Sequence, residues 1–255
     1  MSPSGRGLII VNADDWGYDE ATTAAISDCY RAGGLTSTTA MLFMEDSARA
    51  AAHAKDHPGL GIGLHLNLVE EYSDPKTPPA VRDRQRRLIE YSRLLRLRRW
   101  VYDPSSRHAV NRVIADQFQR FVDLYGRMPT HLDGHHHCHL AANVLLSPAV
   151  PTGTKIRNAL EDKHLPNPIT DTLRWARARM IARRFTTTDR FLSVETFWPD
   201  LQGLPPTDGF DDPIAAPTLE VMVHPAFPHE YGPLQSREWV EALKRLPVGT
   251  FEDLR

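Results

Sequence analysis

Leu8-Ile9-Ile10-Val11-Asn12-Ala13-Asp14-Asp15-Trp16-Gly17 begins with four apolar residues and ends in two adjacent acids, an aromatic and a glycine. A short apolar run closed by turn residues predicts a buried strand, which here delivers Asn12, Asp14 and Asp15 at its C-terminal end. Asp19 can cap a following helix in which Ala25, Ile26, Cys29 and Tyr30 fall on one side, and Gly33-Gly34 stops it. Leu35 to Phe43, rich in threonine and apolar residues, predicts a second strand, and Ser47 to Asp56 a second helix halted before Pro58. In Gly61 to Leu68, Ile62, Leu64, Leu66 and Leu68 share one face of a strand while His65 and Asn67 take the other. Apolar residues keep helical spacing from Val110 to Tyr125, and Gly126 ends that helix. Leu219 to Pro225 reads as a late strand ending in His224, and Ser236 to Leu246 as the last helix. Alternating strands and helices predict an α/β fold with a mostly parallel sheet and a ligand site at the C-terminal strand ends. Single α/β barrels commonly reach the length of this chain, 255 residues, so residues 1–255 are expected to form one domain.

Thr130-His131-Leu132-Asp133-Gly134-His135-His136-His137-Cys138-His139-Leu140 holds the densest chemistry. In an extended chain His131, Asp133, His135, His137 and His139 would share one face, with Leu132, His136, Cys138 and Leu140 on the other. Imidazole and carboxylate together suit a divalent transition metal, with some groups left to orient the ligands from outside. The plainer alternatives are surface histidines or a packed strand with hydrogen-bonded rings. Asp14 and Asp15 cannot point the same way in an extended segment, which divides their labour: one ligates and the other reaches the water. For this pair taken alone, turn chemistry or helix capping is the alternative. Non-haem iron oxygenases use a similar ligand set, but on a different scaffold, and would leave His224 without a task.

The formal net charge of -2 gives no whole-chain attraction to nucleic acid or to an anionic membrane. No apolar run is long enough for a membrane span or secretory leader, and the two cysteines, Cys29 and Cys138, are expected as free thiols, so a cytoplasmic location is expected. Between Tyr72 and Ser106 the strand-helix rhythm breaks into prolines and then an arginine-rich segment, Arg82 to Arg99, read as an insertion of about residues 72–106. A second basic stretch runs from Arg174 to Arg184, and Gln202 to Pro217 is expected to be an irregular loop.

Five blocks resemble the YdjC-like carbohydrate deacetylases, in that family's order: Val11-Asn12-Ala13-Asp14-Asp15-Trp16-Gly17, Leu35 to Ala40, Gly63 to Leu68, Pro129 to His139, and His224-Pro225-Ala226-Phe227. The resemblance implies a distorted, TIM-barrel-like (β/α) barrel that binds one divalent metal ion, zinc or magnesium, and removes an N-acetyl group from an amino sugar. By motif it makes Asp15, His65 and His135 the metal ligands, Asp14 the general base, and His224 the group that protonates the leaving amine. Asn67, Asp133, His137 and His139 then fall to the surroundings of the metal or the substrate wall, together with Arg157 from Lys155-Ile156-Arg157. Trp16 departs from the family's usual phenylalanine, and Ala141 to Leu219 otherwise matches poorly, which leaves the substrate more open than the chemistry.

Two other functions are weighed against an amino-sugar deacetylase. One is a metal-dependent phosphoester hydrolase using the arginines for phosphate; the other is a non-catalytic carbohydrate-binding protein that retains the site. The expected partner is an N-acetylated amino-sugar substrate, with no nucleic acid and no membrane span. The arginine-rich segment either folds over the barrel mouth or is a surface or homodimer-forming helix.

Overall fold

A computed structural model describes residues 7–94, 102–159, 168–201 and 217–255. The strands are β1 Leu8–Trp16, β2 Ser37–Met41, β3 Gly61–Leu66, β4 Leu132–Gly134, β5 Arg190–Ser193 and β6 Thr218–Val223. They form one six-stranded sheet in the order β4-β3-β2-β1-β6-β5, with every pairing parallel. Helices α1 Glu20–Ala32 and α2 Ser47–His53 return the chain after β1 and β2, and α3 Pro79–Leu94 and α4 Arg107–Tyr125 lie between β3 and β4. Because all strands run one way, their C-terminal ends gather at a single mouth.

The sheet curls. Beyond β4, Leu132 bridges Ile156 and Lys155 bridges Thr186, so the edge continues through two short bridging segments. This is an α/β half-barrel; among the described residues no continuous ladder closes it into the expected TIM-like barrel. Its apolar packing divides in two. One large cluster lies between sheet and helices, and a small one of Ile10, Phe251 and Leu254 sits at the base of the curl. The His131 ring stacks on Phe251 at 3.7 Å and 11°, and Lys155 Nζ donates to the Phe251 carbonyl at 2.6 Å. Gly63 makes room for that ring: a Cβ there would lie 2.5 Å from His131 Cε1.

Local signals act as their chemistry dictates. The Asp19 carboxylate accepts from the Thr22 N–H at the start of α1, and Gly33 ends it at φ 84°. The expected extended face over 130–140 is corrected, because β4 covers only Leu132–Gly134. Its partner β3 ends at Leu66, paired with Gly134, so no ladder holds the next residues extended. The chain instead folds across the end of β3 in a 3₁₀ turn, His135–Leu140, with His136 and His137 in left-handed conformation at φ 50° and 55°.

The arginine-rich segment is in part a docked helix. In α3, Leu88 and Ile89 are buried, and buried Gln85 donates to the Glu70 carbonyl while accepting from the Tyr72 N–H. Arg84 pairs with Asp116 of α4 at 2.9 Å. Arg96, Arg98 and Arg99 lie outside the described residues, as does nearly all of the loop expected at 202–217. The second basic stretch forms α5, Pro168–Arg184, and Arg184 satisfies the carbonyls of Leu145, Ser147 and Val150. Cys29 and Cys138 are free thiols. No helix among the described residues is long and apolar enough to cross a membrane.

Candidate active site

The mouth is organised by an irregularity in β1. Its register against β2 shifts between Ala13 and Trp16, and Asp15 takes φ 71°. A left-handed non-glycine residue costs on the order of 1–3 kcal/mol and persists only where its surroundings impose it. The break is what divides two adjacent acids: Asp14 is directed inward, 4% exposed, while Asp15 reaches the rim.

At the rim three donor atoms form a triangle. Asp15 Oδ1 lies 3.1 Å from His65 Nε2 and 3.2 Å from His135 Nδ1, and the two nitrogens are 3.4 Å apart. A tetrahedral ion with ligand bonds of about 2.0–2.1 Å requires ligand-to-ligand edges of roughly 3.3 Å. The outer nitrogens of both rings are held. His65 Nδ1 meets Asp133 Oδ1 at 2.8 Å, and His135 Nε2 meets Glu70 Oε2 at 3.0 Å. Thr39 donates to Asp133 at 3.0 Å and Tyr18 to Glu70 at 2.7 Å. With each outer nitrogen facing a carboxylate, the inner nitrogen of each ring is free to offer its lone pair.

The triangle also sits in a negatively charged setting. Burial would raise the Asp15 carboxyl, yet the neighbouring imidazoles of His135 and His65 hold it well below the usual carboxylate range. Burial would lower the His65 imidazole, yet Asp133 and Asp15 raise it well above its ordinary value. The donor set therefore fits a divalent ion, and among the described residues Asp15, His65 and His135 are one of two groups that could hold one. Replacing Glu70 by Gln is expected to weaken metal affinity by about 10–100-fold, since it removes the charge that orients His135. Titration with a metallochromic chelator checks this, and unchanged affinity would mean that Glu70 serves only the loop.

Below the triangle lies Arg157, with 0% exposure, delivered next to β4 by the 155–156 bridge. Its Nη1 and Nη2 donate to the two oxygens of Asp14 at 2.7 and 2.6 Å. Nη2 also lies 2.8 Å from Asp133 Oδ2, and Nε donates to Glu220 at 2.7 Å. Burial would raise the Asp14 carboxyl, but Arg157 overrides it and keeps Asp14 ionised. The other possible metal group, Asp14, His65 and Asp133, is thus already served by a guanidinium. Asn12 completes this layer: its amide donates to Asp14 at 3.2 Å, and its carbonyl accepts from His131 Nε2 at 3.0 Å.

Burial pushes the Glu220 carboxyl up to about 7 from 4.5, against the pull of Arg157. A folded-state value above the unfolded one contributes stability that is complete below the unfolded value and is lost as pH rises through the folded one. The melting temperature of Glu220→Gln is therefore expected to gain on that of the parent chain between about pH 5 and about pH 8. A constant difference across that window would refute the shift.

His224 follows β6 beside Asp14, with Nε2 3.8 Å from Asp14 Oδ2 and Nδ1 3.7 Å from Glu230 Oε1. Burial would lower its imidazole, but Glu230 and Asp14 raise it. The remaining expected residues do not join the triangle. Asn67 accepts from the Val69 and Glu70 N–H groups and donates to the Glu70 carbonyl, so it shapes the loop that carries Glu70. His139 Nε2 meets the Arg157 carbonyl at 3.1 Å, and the His137 ring lies edge-on to His139 and Phe191. Glu70, Tyr18, Thr39 and Glu220 were not anticipated. For Glu220 the available signal was an acid inside the otherwise apolar Leu219 to Val223 run.

The profile of the family described as YdjC-like protein matches residues 8–245. The chain belongs to the YdjC-like family. Proteins called chitooligosaccharide deacetylase from Enterobacter sp. (strain 638) and Salmonella schwarzengrund (strain CVM19633) are 36% and 34% identical to it over 138 residues. Each match covers 52% of this chain and 50% of the relative, so the chain spans about half the length of the curated relatives it matches. A crystal structure from Enterococcus faecalis V583, provisionally named a cellobiose-phosphate cleavage protein, superposes with a TM-score of 0.69 over 98% of this chain and 99% of that one. Its sequence identity of 23% makes it a likeness of fold. The likeness of this YdjC-like chain to that fold extends over nearly its whole length, and the candidate residues Asp15, His65 and His135 lie at the C-terminal strand ends of the described sheet.

Proposed function

We propose that residues 1–255 act as one metal-dependent deacetylase unit that hydrolyses the N-acetyl group of an amino sugar, or of a molecule containing one, and releases acetate. The observation that carries the reading is the open triangle of Asp15, His65 and His135, flanked by an ionised carboxylate, Asp14, and by an imidazole biased toward its protonated form, His224. Chitooligosaccharide deacetylase relatives support the same substrate class. Zinc or magnesium bound by the three residues would acidify water and polarise the acetyl carbonyl.

This chain's own groups supply the proton transfers. Asp14, fixed by two Arg157 hydrogen bonds, accepts the proton of the attacking water through the oxygen edge that faces His224. His224, poised between Asp14 and Glu230, donates a proton to the departing amine nitrogen. The 3.8 Å separation of these two groups is too long for a hydrogen bond, so each remains available to the substrate.

The test is acetate release from a panel of N-acetylated sugars, free and oligomeric, by metal-loaded protein, with phosphate release from phosphoesters in parallel. Acetate without phosphate supports the proposal. Phosphate alone, or sugar binding without turnover, would replace it with a phosphoester hydrolase or a carbohydrate-binding protein. His65→Ala and His135→Ala are expected to lose bound metal, whereas His224→Ala retains it and slows turnover. Metal analysis of the purified variants separates the two outcomes.

A further inference from the structure

Arg157 is fully buried and distributes one guanidinium over three carboxylates. Two of them belong to the reacting centre: Asp14, and Asp133 through its hold on His65. The third, Glu220, is different. It comes from the middle of β6, paired in register with Ile10 of β1 and Phe191 of β5, and takes the Nε edge of Arg157, the edge turned away from Asp14. One of its oxygens, Oε2, has no hydrogen-bond partner. Glu220 is itself 0% exposed, between Leu219 and Val221, which are also buried. A partly satisfied acid sealed in an apolar strand is costly to the fold.

We infer that Glu220 is a positioning residue for the reaction: it holds Arg157 Nε so that the two Nη groups present a fixed edge to Asp14 and Asp133. The reason is the geometry of the guanidinium. A planar fork with its Nε end free can swing about its own stem and trade one carboxylate for another, and Asp14 and Asp133 both lie within reach of the same Nη2. Anchoring Nε removes that freedom and leaves one pose, in which Asp14 receives two hydrogen bonds. Where Asp14 points then depends on a residue that touches neither the substrate nor the donor triangle. The inference rests on the deacetylase reading for its kinetic part only.

Three substitutions separate position from charge. Glu220→Gln keeps the reach and the acceptor oxygen but loses the charge; Glu220→Asp keeps the charge one methylene short of Nε; Glu220→Leu loses both. With metal-loaded protein and the best N-acetyl sugar from the panel, positioning predicts kcat near that of the parent for Gln. A kcat loss of about 10–100-fold is expected for Asp and Leu, with KM and metal content unchanged. The activity-independent readout is the Arg157 Nε–H resonance in ¹⁵N-labelled protein, identified by its absence in Arg157→Lys. It is expected to stay protected from exchange in the parent and Gln chains and to lose protection in Asp and Leu. If Leu does not fold, the Gln and Asp pair still decides. Activity retained in Asp and lost in Gln, or an Nε–H equally protected in all variants, would overturn the proposal. If the resonances follow the expected order while no sugar yields acetate, the deacetylase reading fails and the anchoring of Arg157 stands.

Discussion

Asp14→Asn is expected to lower kcat by about 10²–10⁴-fold while leaving metal content unchanged. The amide matches the carboxylate in shape but cannot accept a proton, and only one of its two ends can accept a hydrogen bond from Arg157. Its –NH₂ end must face an Nη donor in either orientation, and in one of them the His224 side as well. Turnover and metal analysis on the same preparation provide the check. Near-parental kcat with metal retained would remove Asp14 from proton transfer, while joint loss of metal and activity would make it a ligand.

Arg157→Leu should be the most damaging single change to the fold. It leaves Asp14, Asp133 and Glu220 buried around an apolar side chain, and removing one partner of a buried ion pair costs about 3–5 kcal/mol. For a chain of this size each kcal/mol shifts the melting temperature by about 2–4 °C, which predicts a fall of roughly 6–20 °C. Thermal unfolding at neutral pH measures it. A fall of under about 2 °C would mean that the three acids are not held as charges around the guanidinium. Because burial raises the Glu220 carboxyl and only Arg157 and its hydrogen bond pull it back, the loss should shrink as pH drops and the orphaned acids take up protons.

Sequence and structure agree where local chemistry decides the outcome. The run from Leu8 to Val11 needs no tertiary knowledge to be read as a buried strand, and Asp19 and Gly33 mark the ends of α1 through their own hydrogen bonds and conformation. The acids at the end of β1 were also legible, but their division was not. It arises from a register break against β2 and a left-handed aspartate, a conformation that neighbouring strands impose and that Asp15 does not favour intrinsically. Alternation over 130–140 misled for a related reason. Alternation describes a strand that has a partner, and β3 ends too early to supply one. The grouping of His65, His135 and Asp15 was carried by resemblance, since periodicity alone left five candidates on one supposed face. Glu70 escaped because nothing in its loop distinguishes it from Glu71 until Asn67 and Gln85 fix the backbone that aims it.

The segment at the base of the curl has a bearing on how the protein is made. Phe251 stacks beneath His131, and His131 in turn orients Asn12 toward Asp14. Residues near 251 leave the ribosome after every strand of the sheet, so a nascent half-barrel has its polar layer open to water from below until they dock. Ribosome-stalled chains ending before this segment should therefore carry the full sheet sequence yet exchange the Asn12 side-chain amide freely, and the layer of Asn12 and Asp14 would mature only after every strand of the sheet has been made.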